Sequence, residues 1–297
     1  RRYLLRAGLA GRCIEDVALA WPRAVAAPSP QEFAARLRGR RFADAGRRGK
    51  FLLLPLEGGG TLAVHLRMSG ALVLEEATTP RPPYTHTILA LDDGRELRLS
   101  DLRRFGRLWL LEDPAPLLAD LGPEPLEPGF TPAVLRERLG RRRVPLKALL
   151  CDQHVVAGLG NIYADEALFV AGIPPHAQPA DLSPQGVARL HAAIREVLEA
   201  GIRTVEALMP VPAPPTETPE GLGGLRVPRE EGHPCLACGT PVRRSVIRGR
   251  SAYWCPRCQG PGGAPGAAPV AEYTARFRSR RPRSQGARQG RQPRRGR

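Results

Sequence analysis

Residues 235–258 read CLACGTPVRRSVIRGRSAYWCPRC. Two C-x-x-C pairs, Cys235/Cys238 and Cys255/Cys258, stand sixteen residues apart. Each such turn aims two thiolates at one point, and two of them complete a closed tetrahedral metal site. Residues 241–247 and 251–254 have the composition of two short strands around Arg248-Gly249-Arg250. The pattern predicts a zinc-held β-hairpin with arginines at its tip. The competing reading is a pair of disulfides in a secreted chain. With all four positions filled by cysteine, the ion expected is one structural Zn2+.

Working outward, Cys13 and Cys151 are left without an obvious partner, which suits a reducing compartment. No secretory signal is visible and no apolar run reaches the roughly 20 residues of a membrane span, so a cytoplasmic protein is expected. The 297 residues are enough for two domains with cores of their own. Lys and Arg number 45 against 29 Asp and Glu, a formal charge of +16. Residues 261–297 hold ten arginines and one glutamate, and the first 260 residues still carry +7. A basic body with a basic tail points to a polyanion, above all nucleic acid. No basic amphipathic helix argues for a lipid surface instead. The tail lacks core-forming residues and is expected to be disordered. Its deletion is expected to flatten the salt dependence of DNA binding.

Residues 1–14 read as a helix, with Leu4, Leu5 and Leu9 on one face. Ser29-Pro30-Gln31-Glu32 is a capping-box pattern that opens a short helix ending near Gly39. Strands are expected at 51–56, 61–68, 71–74, 87–91, 96–100 and 107–111, with turns at Gly58-Gly59-Gly60 and Asp92-Asp93-Gly94. Residues 1–115 therefore read as a β-sandwich with flanking helices, and the Pro-rich stretch 116–130 as a linker. Helical signals follow at 131–140, 145–152 and 162–171, and a longer one from Ser183-Pro184 stops at Gly201. The expected architecture is α+β: a sandwich (1–115), a helical domain (131–225), a zinc hairpin (226–260) and a basic tail (261–297).

Several motifs have ordinary explanations one at a time. Gly158-Leu159-Gly160-Asn161 could let a phosphate approach a helix start, or could simply turn between helices. Lys50 closes the run Arg47-Arg48-Gly49-Lys50 beside a strand, where charges are usually solvated. Met68, in HLRMSG, would normally be core. Phe105, in DLRRFG, is an aromatic between cations on a loop. An apolar residue with Arg and Phe at loop tips can wedge into a base stack when a nucleotide is flipped out.

Taken together and in this order, RGKF (48–51), HLRMSG (65–70), DLRRFG (101–106), GLGNIYADE (158–166) and the CPRCQ (255–259) closing the zinc hairpin resemble the bacterial formamidopyrimidine-DNA glycosylase family, over about residues 1–260. That resemblance implies a sandwich, a helix–two-turn–helix domain and a zinc finger. It implies base-excision repair of 8-oxoguanine and ring-opened purines in double-stranded DNA, followed by β- and δ-elimination at the abasic site, by a monomer acting at the bacterial nucleoid. Met68, Arg103 and Phe105 would fill the void left by the extruded nucleotide and contact the orphaned base. Lys50, Asn161 and Arg250 would clamp the phosphates around the flipped nucleotide. Lys50 and Arg250 would also serve proton transfer in strand cleavage. Arg142, Lys147 and His86 would add backbone contacts.

Two departures from the family pattern stand out. The family's nucleophile is an N-terminal proline followed by glutamate, in a stretch like PELPEVET, and the sequence begins Arg1-Arg2, which matches the residues just after it. The expectation is a truncated or misassigned start, and a chain that, as it stands, binds damaged DNA without excising. A non-catalytic damaged-DNA or abasic-site binder is the alternative. A zinc-ribbon protein of translation or transcription would explain only the zinc and the charge. The second departure is residues 209–229, where the family has an aromatic-containing loop over the oxidised purine. Here the loop reads PVPAPPTETPEGLGG (210–224), without an aromatic, which puts the lesion preference in question.

Overall fold

The computed structural model describes residues 1–208 and 224–260. Most of the altered loop and the whole basic tail lie outside the described residues.

The helix expected over 1–14 is shorter. α1 (Arg2–Arg6) buries Leu4 and stops there, because Gly8 and Gly11 take φ of +75° and +80° and turn the chain. Ile14 then begins β1 (Ile14–Leu19), and β2 (Val25–Ala27) follows a short 3-10 turn. α2 (Pro30–Leu37) starts as expected, with Ser29 Oγ accepting from Glu32 N at 3.3 Å. Next come β3 (Gly46–Arg48), β4 (Phe51–Pro55), β5 (Thr61–His65), β6 (Gly70–Glu76), β7 (Thr85–Leu91), β8 (Arg95–Asp101) and β9 (Arg107–Leu111). β5 ends at His65 and not at 68, because Arg67 adopts a φ of +57° and starts a turn.

The strands make two sheets, β1-β7-β8-β6 and β2-β9-β5-β4-β3. Their apolar faces close over one core that includes Leu54, Val64, Leu74, Leu97 and Leu108, with Phe33 and Leu37 of α2 packed into it. Register decides what sits at one end of the five-stranded sheet. Phe51 pairs His65, His65 pairs Arg107, and Val25 pairs Leu108 in the neighbouring parallel strand. The start of β4, the end of β5 and the starts of β9 and β2 therefore stand in a row at one rim. In that order the rim carries Lys50, the 66–69 loop, the 102–106 loop and residues 21–24.

The helical part begins with α3 (Ala115–Leu118), then α4 (Pro132–Leu139), capped by Thr131 Oγ1 on Val134 N, and the five-residue α5 (Leu146–Leu150). α6 (Asn161–Ala171) is the central helix, apolar around most of its circumference and closed by Gly172 in the left-handed conformation. α7 (Pro184–Leu208) does not stop at Gly201. That glycine is internal because Tyr163 of α6 packs against it so closely that a Cβ would collide with the phenol.

The zinc hairpin is β10 (Arg243–Ile247) and β11 (Arg250–Trp254). Its turn is the two residues Arg248 and Gly249, both at positive φ (45° and 75°), the geometry that suits strand twist. Arg250 therefore opens β11 opposite Ile247 and is not part of the tip. Phe169 of α6 joins Val227, Val242 and three cysteines in a small core that fixes the hairpin to the helical domain.

Candidate DNA-lesion site

Glu124, in the Pro-rich stretch after the sandwich, accepts from Arg47 Nη2 at 2.8 Å, Arg48 Nη1 at 3.0 Å and Gly49 N at 2.5 Å. Those three cationic and amide donors hold its carboxyl below the usual range although burial works against the charge. The same stretch is bonded to the helical side: Gly122 N donates to Gln153 O (2.8 Å) and Ala157 N to Pro123 O (3.0 Å). Gln153 then shapes the glycine turn, accepting from Gly158 N and donating to Leu159 O at 2.9 Å each. Gly158 takes φ +82°, and a Cβ on it would meet the Gly49 carbonyl at 3.6 Å. Backbone thus lies on backbone where the sandwich meets the helices.

This contact brings Lys50 to the start of α6. Lys50 Nζ lies 3.4 Å from where a Cβ on Gly160 would stand. Gly160 is the N-cap of α6 and offers no side chain, so the first-turn N–H groups of an eleven-residue helix open toward the lysine. Asn161 is the first helical residue, and its buried Oδ1 has no hydrogen-bond partner among the described residues. Desolvation in the cleft lowers the pKa of Lys50, and the nearby charge of Arg250 lowers it further. Neither cation has a carboxylate partner among the described residues. His65, beside them, is held down at about 4 by burial, then by Arg67 and Lys50. It is neutral, with Nδ1 accepting from Arg67 N at 3.0 Å. Two unpaired cations, a neutral imidazole and a free helix start make a site for a phosphate.

The second cluster lies next along the rim. Met68 is 71% exposed and Phe105 45%, far from the core placement Met would ordinarily take. Arg103 joins them, with Nη1 at 3.4 Å from Met68 Sδ and its guanidinium 4.9 Å from the centre of the Phe105 ring. Asp101 holds both loops. Its carboxylate accepts from Ser69 Oγ (2.5 Å), Arg103 N (3.1 Å), Phe105 N (2.7 Å) and Gly106 N (2.7 Å). Although burial opposes it, this set keeps the carboxyl below its ordinary value. Asp101 was not singled out from the sequence. A carboxylate followed by backbone donors two to five residues later is the signal that could have found it.

Two residues expected at the DNA backbone are elsewhere. His86 is 6% exposed and its Nε2 meets Asp101 O at 2.8 Å, so it buttresses the 102–106 loop from behind. Lys147 is 1% exposed. Its Nζ pairs Asp165 Oδ1 at 2.6 Å and donates to Ser251 O at 2.5 Å, tying α5 and α6 to β11. Tyr253 N and Arg229 Nη1 complete the Asp165 carboxylate. Next to it, Glu166 receives Arg226 N and Val227 N at 2.8 Å each, and full burial pushes its carboxyl up to about 7. Arg142 is exposed in the loop between α4 and α5, as a backbone contact requires.

The four cysteine Sγ atoms lie within 4.8 Å of one another, with Cys235–Cys258 at 3.9 Å and Cys238–Cys255 at 3.4 Å. Four sulfurs around zinc at 2.3 Å stand about 3.8 Å apart, so the set fits one structural zinc ion. Gln259 supports it, accepting from Cys255 N at 2.9 Å and donating to Ile173 O at 2.7 Å.

Comparison with known proteins identifies these parts. Residues 1–108 match the formamidopyrimidine-DNA glycosylase N-terminal domain and residues 121–209 the H2TH domain of that glycosylase. Residues 232–260 match a zinc finger found in FPG and IleRS. The formamidopyrimidine-DNA glycosylase of Chloroflexus aurantiacus is 46% identical over 261 residues, spanning 84% of this chain and 91% of that protein. That of Geobacillus kaustophilus is 42% identical over 268 residues, spanning 87% and 96%. The Lactococcus lactis enzyme in complex with DNA containing N7-benzyl-Fapy-dG superposes with a TM-score of 0.79 at 29% identity, covering 87% of this chain and 96% of that one. Its complex with abasic-site DNA gives the same TM-score.

Proposed function

The chain belongs to the formamidopyrimidine-DNA glycosylase family, and on that premise we propose that it is a base-excision repair glycosylase for oxidised purines in duplex DNA. The observation that carries the proposal is the exposed trio Met68, Arg103 and Phe105, pinned by one carboxylate beside an uncompensated phosphate site. An exposed Met and Phe are costly to leave in water unless something covers them, and a base stack opened by nucleotide flipping is such a surface. Arg103 would then face the orphaned base, with its donors in reach of the Watson–Crick edge. Lys50, Asn161, the α6 start and Arg250 would hold the flipped nucleotide's phosphates. The lowered pKa of Lys50 suits a group that also shuttles a proton when the strand is cut. Arg142 would add a backbone contact, and the protein would act as a monomer.

The family's chemistry starts from an N-terminal proline amine that attacks the sugar C1′ and forms an iminium, assisted by the glutamate that follows. Neither residue is among the first residues of this sequence. On that chemistry the enzyme would be an AP lyase as well as a glycosylase. Borohydride trapping on a duplex with 8-oxoguanine opposite cytosine tests this directly. A covalent adduct is expected when Pro-Glu-Leu-Pro-Glu-Val-Glu-Thr-Val precedes Arg1, and none from the 297 residues alone. Tight binding of an abasic duplex with no adduct from either protein would instead establish a non-catalytic lesion binder.

A further inference from the structure

The rim of the five-stranded sheet carries one more group beyond the wedge, and the proposed lesion site leaves it unused. Trp21 lies just before β2, whose start stands beside the start of β9. Two guanidiniums pack on its indole: Arg104 at 4.8 Å and Arg23 at 5.6 Å from the ring centre. Both arginines are exposed. Neither has a carboxylate partner among the described residues, and the buried indole Nε1 has no hydrogen-bond partner there either. Arg104 reaches the ring because its own φ is +57°, a conformation that turns its side chain away from those of Arg103 and Phe105. A left-handed arginine between two wedge residues is a costly arrangement for an L side chain. Here it divides the loop: Arg103 and Phe105 go with Met68, and Arg104 goes with Trp21.

Position supplies the ligand. Across the rim the order is Lys50 before β4, the Met68 loop after β5, the Phe105 loop before β9, and Trp21–Arg23 before β2. Strands are spaced about 4.8 Å, so the Lys50 and Arg23 ends are separated by three steps, on the order of 14 Å, with the wedge between them. If the wedge occupies the gap left by a flipped nucleotide and Lys50 holds that nucleotide's strand, the cations on the far side of the wedge meet the other strand. We propose that Arg23 and Arg104, braced on Trp21, form a phosphate-binding site for the backbone of the undamaged strand beside the orphaned base. The cation–π contacts fix two side chains that would otherwise lose rotamer freedom on binding, and the close like charges favour an anion between them. The duplex is then held on both strands while the wedge stands in the middle.

This inference rests on the proposed reading of the wedge, and one titration separates the two. The 297-residue chain is titrated with a duplex holding a tetrahydrofuran abasic analogue opposite cytosine, and with the intact duplex, across a salt series. Arg23→Ala and Arg104→Ala are each expected to weaken abasic-duplex binding about fivefold and to reduce the slope of log K against log salt by about one. A neutral methylphosphonate in the undamaged strand beside the orphaned base should weaken the wild type similarly and leave Arg104→Ala with little further effect. Two results would overturn the proposal: unchanged slopes in both variants, or the Arg104→Ala effect disappearing when the neutral linkage is in the lesion strand instead. A wild type that does not prefer the abasic duplex removes the wedge reading and this inference together. A preference kept by the wild type, with both arginines silent, removes this inference alone.

Discussion

Asp101 has its two carboxylate oxygens shared among donors from the 66–69 and 102–106 loops, and its backbone carbonyl receives His86. An amide in its place keeps one acceptor and presents an NH2 to N–H groups that need an oxygen. Asp101→Asn should therefore cost about 1.5–3 kcal/mol of stability, the range for hydrogen bonds to a charged acceptor. The loss should appear in two readouts: a lower melting temperature, and weaker discrimination between bases opposite an abasic site. The pH dependence follows in sign. The folded-state pKa is below that of the unfolded chain, so the wild type has this stabilisation above about pH 4 and loses it as pH falls through the folded value. The variant should lack that acid-side loss, which a melting series in acid would read.

Among the elements, the zinc hairpin depends on its ion and on one buried carboxylate. The metal holds the two knuckles, while Asp165 of α6 takes Tyr253 N of β11 together with Arg229 and Lys147, and Lys147 also donates to Ser251 O of β11. Stripping zinc with a chelator should release Arg250 from the cleft and weaken abasic-duplex binding by at least about tenfold, with the sandwich still folded. Circular dichroism alongside the binding assay would separate the two effects. In α7, Gly201→Ala should gain up to about 1 kcal/mol of helix propensity and lose about 1–3 kcal/mol by overpacking against Tyr163, a net destabilisation visible in thermal melts. What could be read from the sequence sorts by range. The Ser29 and Thr131 caps, the C-x-x-C knuckles and the β7–β8 turn are local chemistry, and all are where the pattern put them. β1 was missed because Glu15 and Asp16 are both exposed and a bulge there breaks the alternation. β2 and β3 are three residues each, too short for a period to show. Gly201 misled because its reason is a side chain on another helix.

At the scale of the whole molecule, the candidate site is an edge between parts. Lys50 stands at the start of α6 because Glu124 locks the Arg47–Gly49 turn to the segment bonded to the Gly158 loop. Motif order along the chain made Lys50, Met68, Arg103, Phe105 and Asn161 legible as candidates. Their spatial order along a sheet rim was not, since it follows from register between distant strands. The burial of Lys147 was not legible either: its partners are 18 and 104 residues away, and a lysine in a basic stretch looks exposed until they are placed. Under the proposed reading, the basic balance of the sequence has its counterpart in a polyanion held at the rim. That claim is tested most directly by the binding of the 297-residue chain to an abasic-analogue duplex against the same duplex intact. A clear preference for the abasic duplex is expected, narrowed about tenfold or more when Met68 and Phe105 are both changed to Ala. Equal affinity for the two duplexes, or a double variant with its preference intact, would contradict it.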